Sequence, residues 1–286
     1  MKFRRLLFLA AAMFWCVSAY AQQQSPQPLT HWATYAVKPG KEEEFLNLVK
    51  TVGAPVRDKL MADGVVLAWG VDVSVLRGHD VETHAIWYTV ADWSGIEKVE
   101  NGIAAQVAKL DAEAAKGGEG GKKGAKAAPT VGQRLLEVVD FEKTKDFVTR
   151  DLVFAAGQQM PAAGTHPYVR YSFVKVRQGR SDAFRSTWEK YNKPVLDKLV
   201  ADGVVLAYGL SIEEVKTTGD FTHYVWYAVN SMGDMDKVRN AYSADRDRRS
   251  KEERDAITEA FVHVLDLDAS RSEVDHNIIF RLPGMK

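Results

Sequence analysis

Two short segments of the chain repeat a histidine and a tyrosine at one spacing. The hexapeptides THAIWY and THYVWY each occur once, 139 positions apart. Alternate side chains of a β-strand share a face, so a strand places His84 beside Tyr88 and His223 beside Tyr227. An imidazole base near a phenol hydroxyl suits proton transfer on an enol or a phenol. These four are our candidate catalytic residues if their face lines a pocket; the alternative is that each histidine makes one hydrogen bond at the sheet rim and the motif serves packing.

Aromatic side chains recur on the first two predicted strands of both halves of the chain. Aromatic and other apolar side chains form most of the wall of pockets that take small molecules. We therefore assign Trp69, Tyr208, Tyr35 and Tyr171 as candidate ligand-binding residues. Aromatic residues on strands also fill protein cores, and core packing is the alternative for all four.

Other residue types that carry chemistry form weaker patterns. Asp63 and Asp202 stand in Asp-Gly turns, four residues after Lys59 and Lys198, so turn formation and a surface ion pair account for both. The seven histidines show no HxxxH or HxH spacing. We predict no metal, with a metal held between the two motif histidines as the alternative. No phosphate-binding or nucleophile-elbow motif is present.

The elements that must position these residues follow from a long internal repeat. Residues 55–70 read PVRDKLMADGVVLAWG and residues 194–209 read PVLDKLVADGVVLAYG. The same offset of 139 matches about a third of the positions between 32 and 101. The chain of 286 residues is therefore predicted to hold two similar lobes.

Each lobe reads as strand, helix, strand, strand, helix, strand. Apolar residues at helical spacing follow a Gly turn, an Asp-Gly turn leads into VVLAWG or VVLAYG, and the hexapeptide strand comes next. Pro55 and Pro194 predict a kink or break in the first helix of each lobe. LLEVVDF and FVHVLDL are predicted as closing strands, followed by the short apolar runs DLVF and NIIF.

This order is the split βαβ arrangement of a ferredoxin-like domain, so the predicted fold class is α+β. Such a domain leaves one sheet face bare, and a duplicate in the same chain provides its cover. We expect the two lobes to close into a barrel about a pseudo-twofold axis, as an intramolecular pseudo-dimer. A further homo-oligomer stays open.

The lobes are predicted to span residues 31–154 and 166–286, joined by a linker at 155–165. The first lobe carries about thirteen extra residues around KGGEGGKKGAKAA. Gly, Lys and Ala at that density bury little apolar surface, so residues 116–128 are predicted to be a mobile loop.

The first residues have the pattern of a secretory signal. Residues 1–21 combine a basic start, an apolar stretch and an A-Y-A site, and 22–30 read as a flexible mature N-terminus. We predict export to the periplasm or beyond the cell. Cleavage removes Cys16, the single cysteine, and three basic residues, which takes the formal charge from 0 to −3. No nucleic-acid partner and, after cleavage, no membrane partner is expected.

The segment TYAVKPGKEEEF resembles the first motif of dimeric α/β barrel proteins, in particular the NIPSNAP, EthD and antibiotic-biosynthesis-monooxygenase-like groups. The resemblance covers both halves. It implies the fold deduced above, and activities that range from cofactor-independent oxygenases and isomerases to haem-binding enzymes and proteins with no settled activity. No cofactor is predicted, and haem is not excluded.

The function predicted from the sequence is the binding of a small apolar or aromatic molecule inside the barrel. Oxygenase-like or isomerase-like chemistry without a cofactor is the enzymatic form of this hypothesis. The alternative is a non-catalytic interaction or structural module of the cell envelope, whose barrel is filled by side chains. Whether the protein is an enzyme is left undecided by the sequence.

Overall fold

The computed structural model describes residues 27–76, 82–119, 128–157, 166–217 and 219–283. The predicted signal peptide, residues 120–127 of the predicted mobile loop and most of the predicted linker lie outside the described residues. Within them, the eight strands are β1 (Leu29–Val37), β2 (Val66–Ser74), β3 (His84–Val90), β4 (Val139–Ala156), β5 (Tyr168–Val176), β6 (Ala207–Glu213), β7 (His223–Val229) and β8 (Leu265–Arg281).

Helices follow the strands in the same order in both lobes. They are α1 (Glu42–Leu48), a π-helical turn (Val49–Gly53), α2 (Ala54–Ala62), α3 (Trp93–Glu119), α4 (Val131–Val138), α5 (Ser181–Tyr191), α6 (Lys193–Ala201), α7 (Met232–Asp247) and α8 (Lys251–Val264). Pro55 and Pro194 lie in the first turns of α2 and α6, directly after the π-helical turn and after the break at Asn192. The interruption predicted from the prolines is therefore present in both lobes.

The eight strands form one closed antiparallel barrel in the order β1-β3-β2-β8-β5-β7-β6-β4. Two long strands close it. β4 pairs with β1 of its own lobe through residues 139–150 and with β6 of the other lobe through 149–156. β8 likewise pairs with β5 through 265–276 and with β2 through 275–281. The predicted pseudo-twofold barrel of two ferredoxin-like lobes is confirmed.

The closing segments differ from the sequence expectation. In LLEVVDF and FVHVLDL the first four residues end helices α4 and α8, and the strands begin at Val139 and Leu265. Capping boxes at Thr130 and Ser250 start these two helices, and their sequence pattern is a helix-start signal that competes with the β-branched composition of the two segments. The short apolar runs DLVF and NIIF belong to the same closing strands, which continue after a register shift.

Several predicted boundaries also move. Helix α3 continues to Glu119, so residues 116–119 of the predicted mobile loop are helical. Strand β4 runs to Ala156, past the predicted end of the first lobe, and β1 begins at Leu29, inside the predicted flexible N-terminus.

Apolar side chains of the described residues form three separate cores. One lies between the sheet and the helices of each lobe, around Phe45 and Trp69 in the first lobe and around Trp188 and Tyr208 in the second. The third lies inside the barrel, around Trp32, and joins side chains of both lobes. Every strand therefore has an outer face toward helices and an inner face toward the barrel axis.

The two Asp-Gly turns are explained by local geometry. Gly64 and Gly203 have φ values of 74° and 72°, a left-handed conformation that favours glycine. The aspartates before them form ion pairs: Nζ of Lys59 lies 2.6 Å from Oδ2 of Asp63, and Nζ of Lys198 lies 2.6 Å from Oδ2 of Asp202. The predicted surface ion pairs are therefore present.

Candidate functional site

The predicted catalytic histidines and tyrosines lie on the outer face of the sheet, beneath the helices. The ring of His84 packs on Phe45 with a centroid distance of 4.9 Å, and that of His223 packs on Phe184 at 5.5 Å. Tyr88 is buried in the first helix-side core. The sequence hypothesis required this face to line the barrel interior, but the rings pack toward the helices, and of the four residues His84 alone also borders the small space at the rim of the barrel.

Each motif histidine joins hydrogen bonds that fix the ends of neighbouring strands. Thr222 Oγ1 accepts a bond from the backbone N–H of Val176 at 2.8 Å and lies 2.9 Å from Nδ1 of His223. Nε2 of His223 is 2.8 Å from Oγ of Ser181, at the start of α5. In the first lobe, Thr83 Oγ1 accepts a hydrogen bond from the backbone N–H of Val37 at 3.0 Å and lies 2.9 Å from Nδ1 of His84. Burial lowers the pKa of His223 to about 4. This geometry is that of the packing alternative.

The four predicted ligand-binding aromatics divide between the two faces. Tyr171 lies inside the barrel. Trp69 and Tyr208 lie on the outer face, where the Trp69 indole N–H donates to an Asp58 carboxylate oxygen at 2.8 Å, and Tyr35 packs on the helix side at 5.3 Å from the Phe45 ring. The structure therefore brings one of the four to an interior wall and the other three to the helix-side cores.

A cavity of about 340 Å³ opens at one end of the barrel interior. Its size is within the range of small-molecule pockets. Most of its wall is apolar or aromatic, with residues from both lobes, and its side chains include Trp32, Trp87, Phe154, Tyr171, Leu206, Ala207, Tyr224, Trp226, Ala228 and Phe280, with Thr30, Thr89, Asp151 and Asn277 as polar members. The barrel is thus open at this end.

Two carboxylates are built into the inner wall at related positions. Asp72 on β2 receives the Tyr171 hydroxyl at 3.0 Å and the Trp87 indole N–H at 3.3 Å. Asp151 on β4 receives the hydroxyl of Ser211 at 2.5 Å and a hydrogen bond from the indole of Trp226. Each carboxylate thus holds one hydroxyl and one tryptophan.

Their positions in the ladder show the pseudo-twofold relation. Asp72 pairs with Asn277 across β2 and β8, and Ser211 pairs with Asp151 across β6 and β4. The offset of 139 relates Asp72 to Ser211. The carboxylate is therefore on the second strand of the lobe in one pair and on the closing strand in the other. One acid of these two cross-strand pairs therefore faces the barrel axis in each lobe, and Asp275 on β8 is a further acid beside the narrow end of the interior.

Burial shifts the protonation of these acids. It raises the pKa of Asp151 to about 6, against the lowering effect of its Ser211 and Trp226 hydrogen bonds. Burial also raises the pKa of Asp72, and the pKa of Asp275 is raised by burial and by the carboxylates of Asp72 and Glu273. Asp151 lines the cavity directly, so its carboxyl group is poised to exchange a proton with a bound molecule near neutral pH.

The opposite end of the barrel is nearly filled. Trp32, Tyr171 and Tyr224 line both ends and separate the large cavity from a space of about 50 Å³. The rim of that small space is charged, with Lys145 bound to Glu82 at 3.1 Å and to Asp220 at 3.2 Å. Access to the interior is therefore best at the end that holds Asp151.

Sequence reasoning missed both wall acids because it considered the histidine and tyrosine face of the hexapeptide strands, and not the other face, as the possible wall of a pocket. Two signals in the sequence point to the acids. Asp72 interrupts the apolar strand WGVDVS, and Asp151 stands before the apolar run LVF. A carboxylate inside a buried strand needs hydrogen-bond donors, and Trp87 and Trp226, which occupy the same position in the two hexapeptides, are among those donors.

The interior cavity does not fit haem. Among the residues that line it, no histidine, cysteine or methionine is present to bind iron, and the hydroxyls of Tyr171 and Tyr224 are engaged by Asp72 and Thr149. Across the described ranges, no group of three or more His, Cys, Asp or Glu side chains is placed to hold a metal ion. In the same ranges, no helix is long and apolar enough to cross a membrane.

Solved structures with a similar fold are known, although comparison of the sequence with protein families and curated proteins gives no match. A candidate monooxygenase of Fusobacterium nucleatum subsp. nucleatum superposes with a TM-score of 0.57 at 9% identity, over 91% of this chain and 96% of that chain.

Two further structures were compared in the same way. A candidate monooxygenase of Lactobacillus acidophilus has a TM-score of 0.53 at 9% identity, over 91% of this chain and 98% of its own. An anthrone oxidase-like protein has a TM-score of 0.49 at 12% identity, over 91% and 95%. The first two establish the fold and leave the activity open. The dimeric α/β barrel predicted from the sequence resemblance is confirmed.

Proposed function

We propose that this protein binds a small apolar or aromatic molecule in the barrel cavity and moves a proton on it through Asp151. The cavity of about 340 Å³ with Asp151 in its aromatic wall is the observation that carries the proposal. Its rings match a flat apolar ligand, and a pKa of about 6 lets the carboxylate act as a base at neutral pH.

The chemistry requires no bound group beyond the substrate. The Asp151 carboxylate takes a proton from a carbon next to a carbonyl, which leaves an enolate in the cavity and a protonated acid in the wall. Return of that proton to a different carbon gives an isomer. Addition of dioxygen to the enolate, followed by protonation, gives a hydroperoxide without an outside reductant. The similar fold of two candidate monooxygenases is compatible with the second route.

The alternative, a non-catalytic module with a filled barrel, draws support from the aromatic layer that closes the other end. Export, predicted from residues 1–21, belongs to either function and is proposed with it. The two functions differ in whether the open end takes a ligand.

The test uses 2-tetralone, an aromatic ketone with an acidic C–H, as the probe. Quenching of tryptophan fluorescence reports binding, because Trp87 and Trp226 line the cavity. Ala207 lines the same wall, so Ala207→Phe should fill the space and weaken binding by roughly tenfold. Ala244→Phe makes the same change on an exposed helix position and should bind like the natural protein.

Deuterium exchange of the probe then separates binding from chemistry. The natural protein should speed exchange at the acidic carbon, followed by NMR in D2O, and Asp151→Asn should abolish that acceleration while binding persists. Absence of quenching in the natural protein, or equal binding by both phenylalanine variants, would reject the cavity as a ligand site. Unchanged exchange in Asp151→Asn would remove the proposed base.

A further inference from the structure

A second polar centre lies outside the barrel, in the helix-side core of the first lobe. Arg57 on α2 is 6% exposed. Its Nε and Nη1 atoms are buried and make no hydrogen bond within the described part of the chain. A buried charge without a hydrogen-bonding partner destabilises a protein by several kcal/mol. Such a group is a candidate for a ligand that supplies the missing acceptor.

The side chains around Arg57 are aromatic and polar. Its guanidinium carbon lies 5.8 Å from the Trp69 ring and 5.6 Å from the Tyr88 ring. The ring of His31 stacks on the Tyr88 ring with a centroid distance of 4.9 Å. The buried Nδ1 atom of His31 also lacks a hydrogen-bond partner among the described residues. Buried nitrogen atoms of Arg57 and His31 without hydrogen-bond partners therefore lie on either side of one tyrosine.

The local backbone is shaped to admit this arginine. A Cβ atom at Gly53 would stand 2.2 Å from Nη1 of Arg57. Gly53 closes the π-helical turn Val49–Gly53, and π-helical turns are frequent at functional sites. Any larger residue at this position would displace the guanidinium.

The second lobe shows that the fold does not need this centre. At the offset of 139, Arg57 corresponds to Leu196, which is fully buried and apolar, and Gly53 corresponds to Asn192. His31 corresponds to the exposed Arg170. Packing alone is thus satisfied by leucine, and the first lobe keeps a buried charge in its place.

We propose that Arg57 and His31, between the outer sheet face and the helices of the first lobe, bind the carboxylate of a small ligand. A planar monoanion accepts hydrogen bonds from a guanidinium and fits beside flat rings. A multiply charged anion is disfavoured, because the Tyr88 hydroxyl donates to Glu100 at 3.0 Å and the carboxylate of Asp58 bonds Trp69 nearby. This site is on the face of the sheet opposite to the barrel cavity and does not depend on the function proposed for that cavity.

The test uses acetate as the probe, with chloride at the same ionic strength as the reference. Arg57→Leu introduces the residue that the second lobe already uses, so it should fold and gain stability in chloride. Arg170→Leu removes an exposed arginine at the position of the second lobe that corresponds to His31, and is the matched control. Thermal unfolding and the side-chain Nε–H resonance of arginine in ¹⁵N NMR are followed during titration.

For the natural protein and Arg170→Leu, we expect the unfolding temperature to rise by about 3 °C when the acetate concentration is about ten times its Kd. One buried arginine Nε–H resonance should shift with the same saturation curve. In Arg57→Leu both responses should be lost. A natural protein that shows neither response, or an Arg57→Leu variant that keeps the thermal response, would overturn the site. Loss of stability in Arg57→Leu without an acetate response in the natural protein would assign the arginine to packing.

Discussion

Two opposing effects act on the protonation of Asp151. The hydrogen bonds from Ser211 and Trp226 favour its ionised form, and burial in the apolar cavity wall favours its protonated form. Burial has the larger effect, since it raises the pKa of Asp151 to about 6 despite the two hydrogen bonds. The folded protein therefore binds this proton more tightly than the unfolded chain does. The stability that the protonated acid contributes is complete below about pH 4 and is lost as the pH rises through 6.

Replacement of Asp151 by asparagine should remove this dependence, because an amide of the same shape stays neutral. Between pH 4 and pH 7.5 the natural protein should lose roughly 2 to 3 kcal/mol of unfolding free energy relative to Asp151→Asn. Urea denaturation of both proteins across that range gives the difference, in which the shared effects of the other buried acids cancel. Parallel pH profiles would show that Asp151 ionises in the folded state as freely as in the unfolded chain.

At the scale of elements, glycines on β2 and β6 are covered by the hexapeptide tryptophans of the adjacent strands. Gly70 pairs with Trp87, and Gly209 pairs with Trp226. A Cβ atom at Gly209 would lie 2.5 Å from the Trp226 indole nitrogen, and one at Gly70 would lie 2.7 Å from the Trp87 ring. The glycine that ends each repeated sixteen-residue segment therefore makes room for the indole that binds the wall carboxylate.

Gly209→Ala should displace the Trp226 ring from Asp151 and destabilise the protein by about 1 to 3 kcal/mol. The loss should be visible in denaturant unfolding, together with a change in tryptophan fluorescence of the folded state. Gly132→Ala is the control, because its added methyl group in helix α4 would meet only Thr130 Oγ1, at an ordinary contact distance of 4.0 Å, and it should leave stability unchanged or raise it slightly. Equal effects of the two substitutions would contradict the close packing of Gly209 under the indole.

At the scale of the whole molecule, the two lobes share their closing strands. The end of β4 completes the sheet of the second lobe beside β6, and the end of β8 completes that of the first beside β2. The interior core joins Trp32 and Phe147 of one lobe to Tyr171 and Tyr224 of the other. Separation of the lobes would expose this core and two rows of backbone hydrogen-bonding groups.

We therefore expect the lobes to unfold together. Scanning calorimetry should give a single transition whose calorimetric and van't Hoff enthalpies agree. Two resolved transitions would show that each lobe is stable without the other's strand.

The amino-acid sequence alone determined the duplication, the α+β class and the closure of the two lobes into a barrel. Repeats, Asp-Gly turns and apolar periodicity are local or one-dimensional signals, and a bare sheet face requires a cover whatever its details. The Lys59–Asp63 ion pair followed from helical spacing in the same way.

The tertiary structure decided which strand face is inside. The period of two in a strand defines two faces without saying which one meets the helices, so the sequence left two alternatives for His84 and Tyr88, and the structure packs both against the helix side. Asp151 and Asp72 reach the interior, and Arg57 is enclosed, through contacts between segments that are distant in the chain. Such contacts depend on how strands β4 and β8 cross between lobes, which no local pattern encodes.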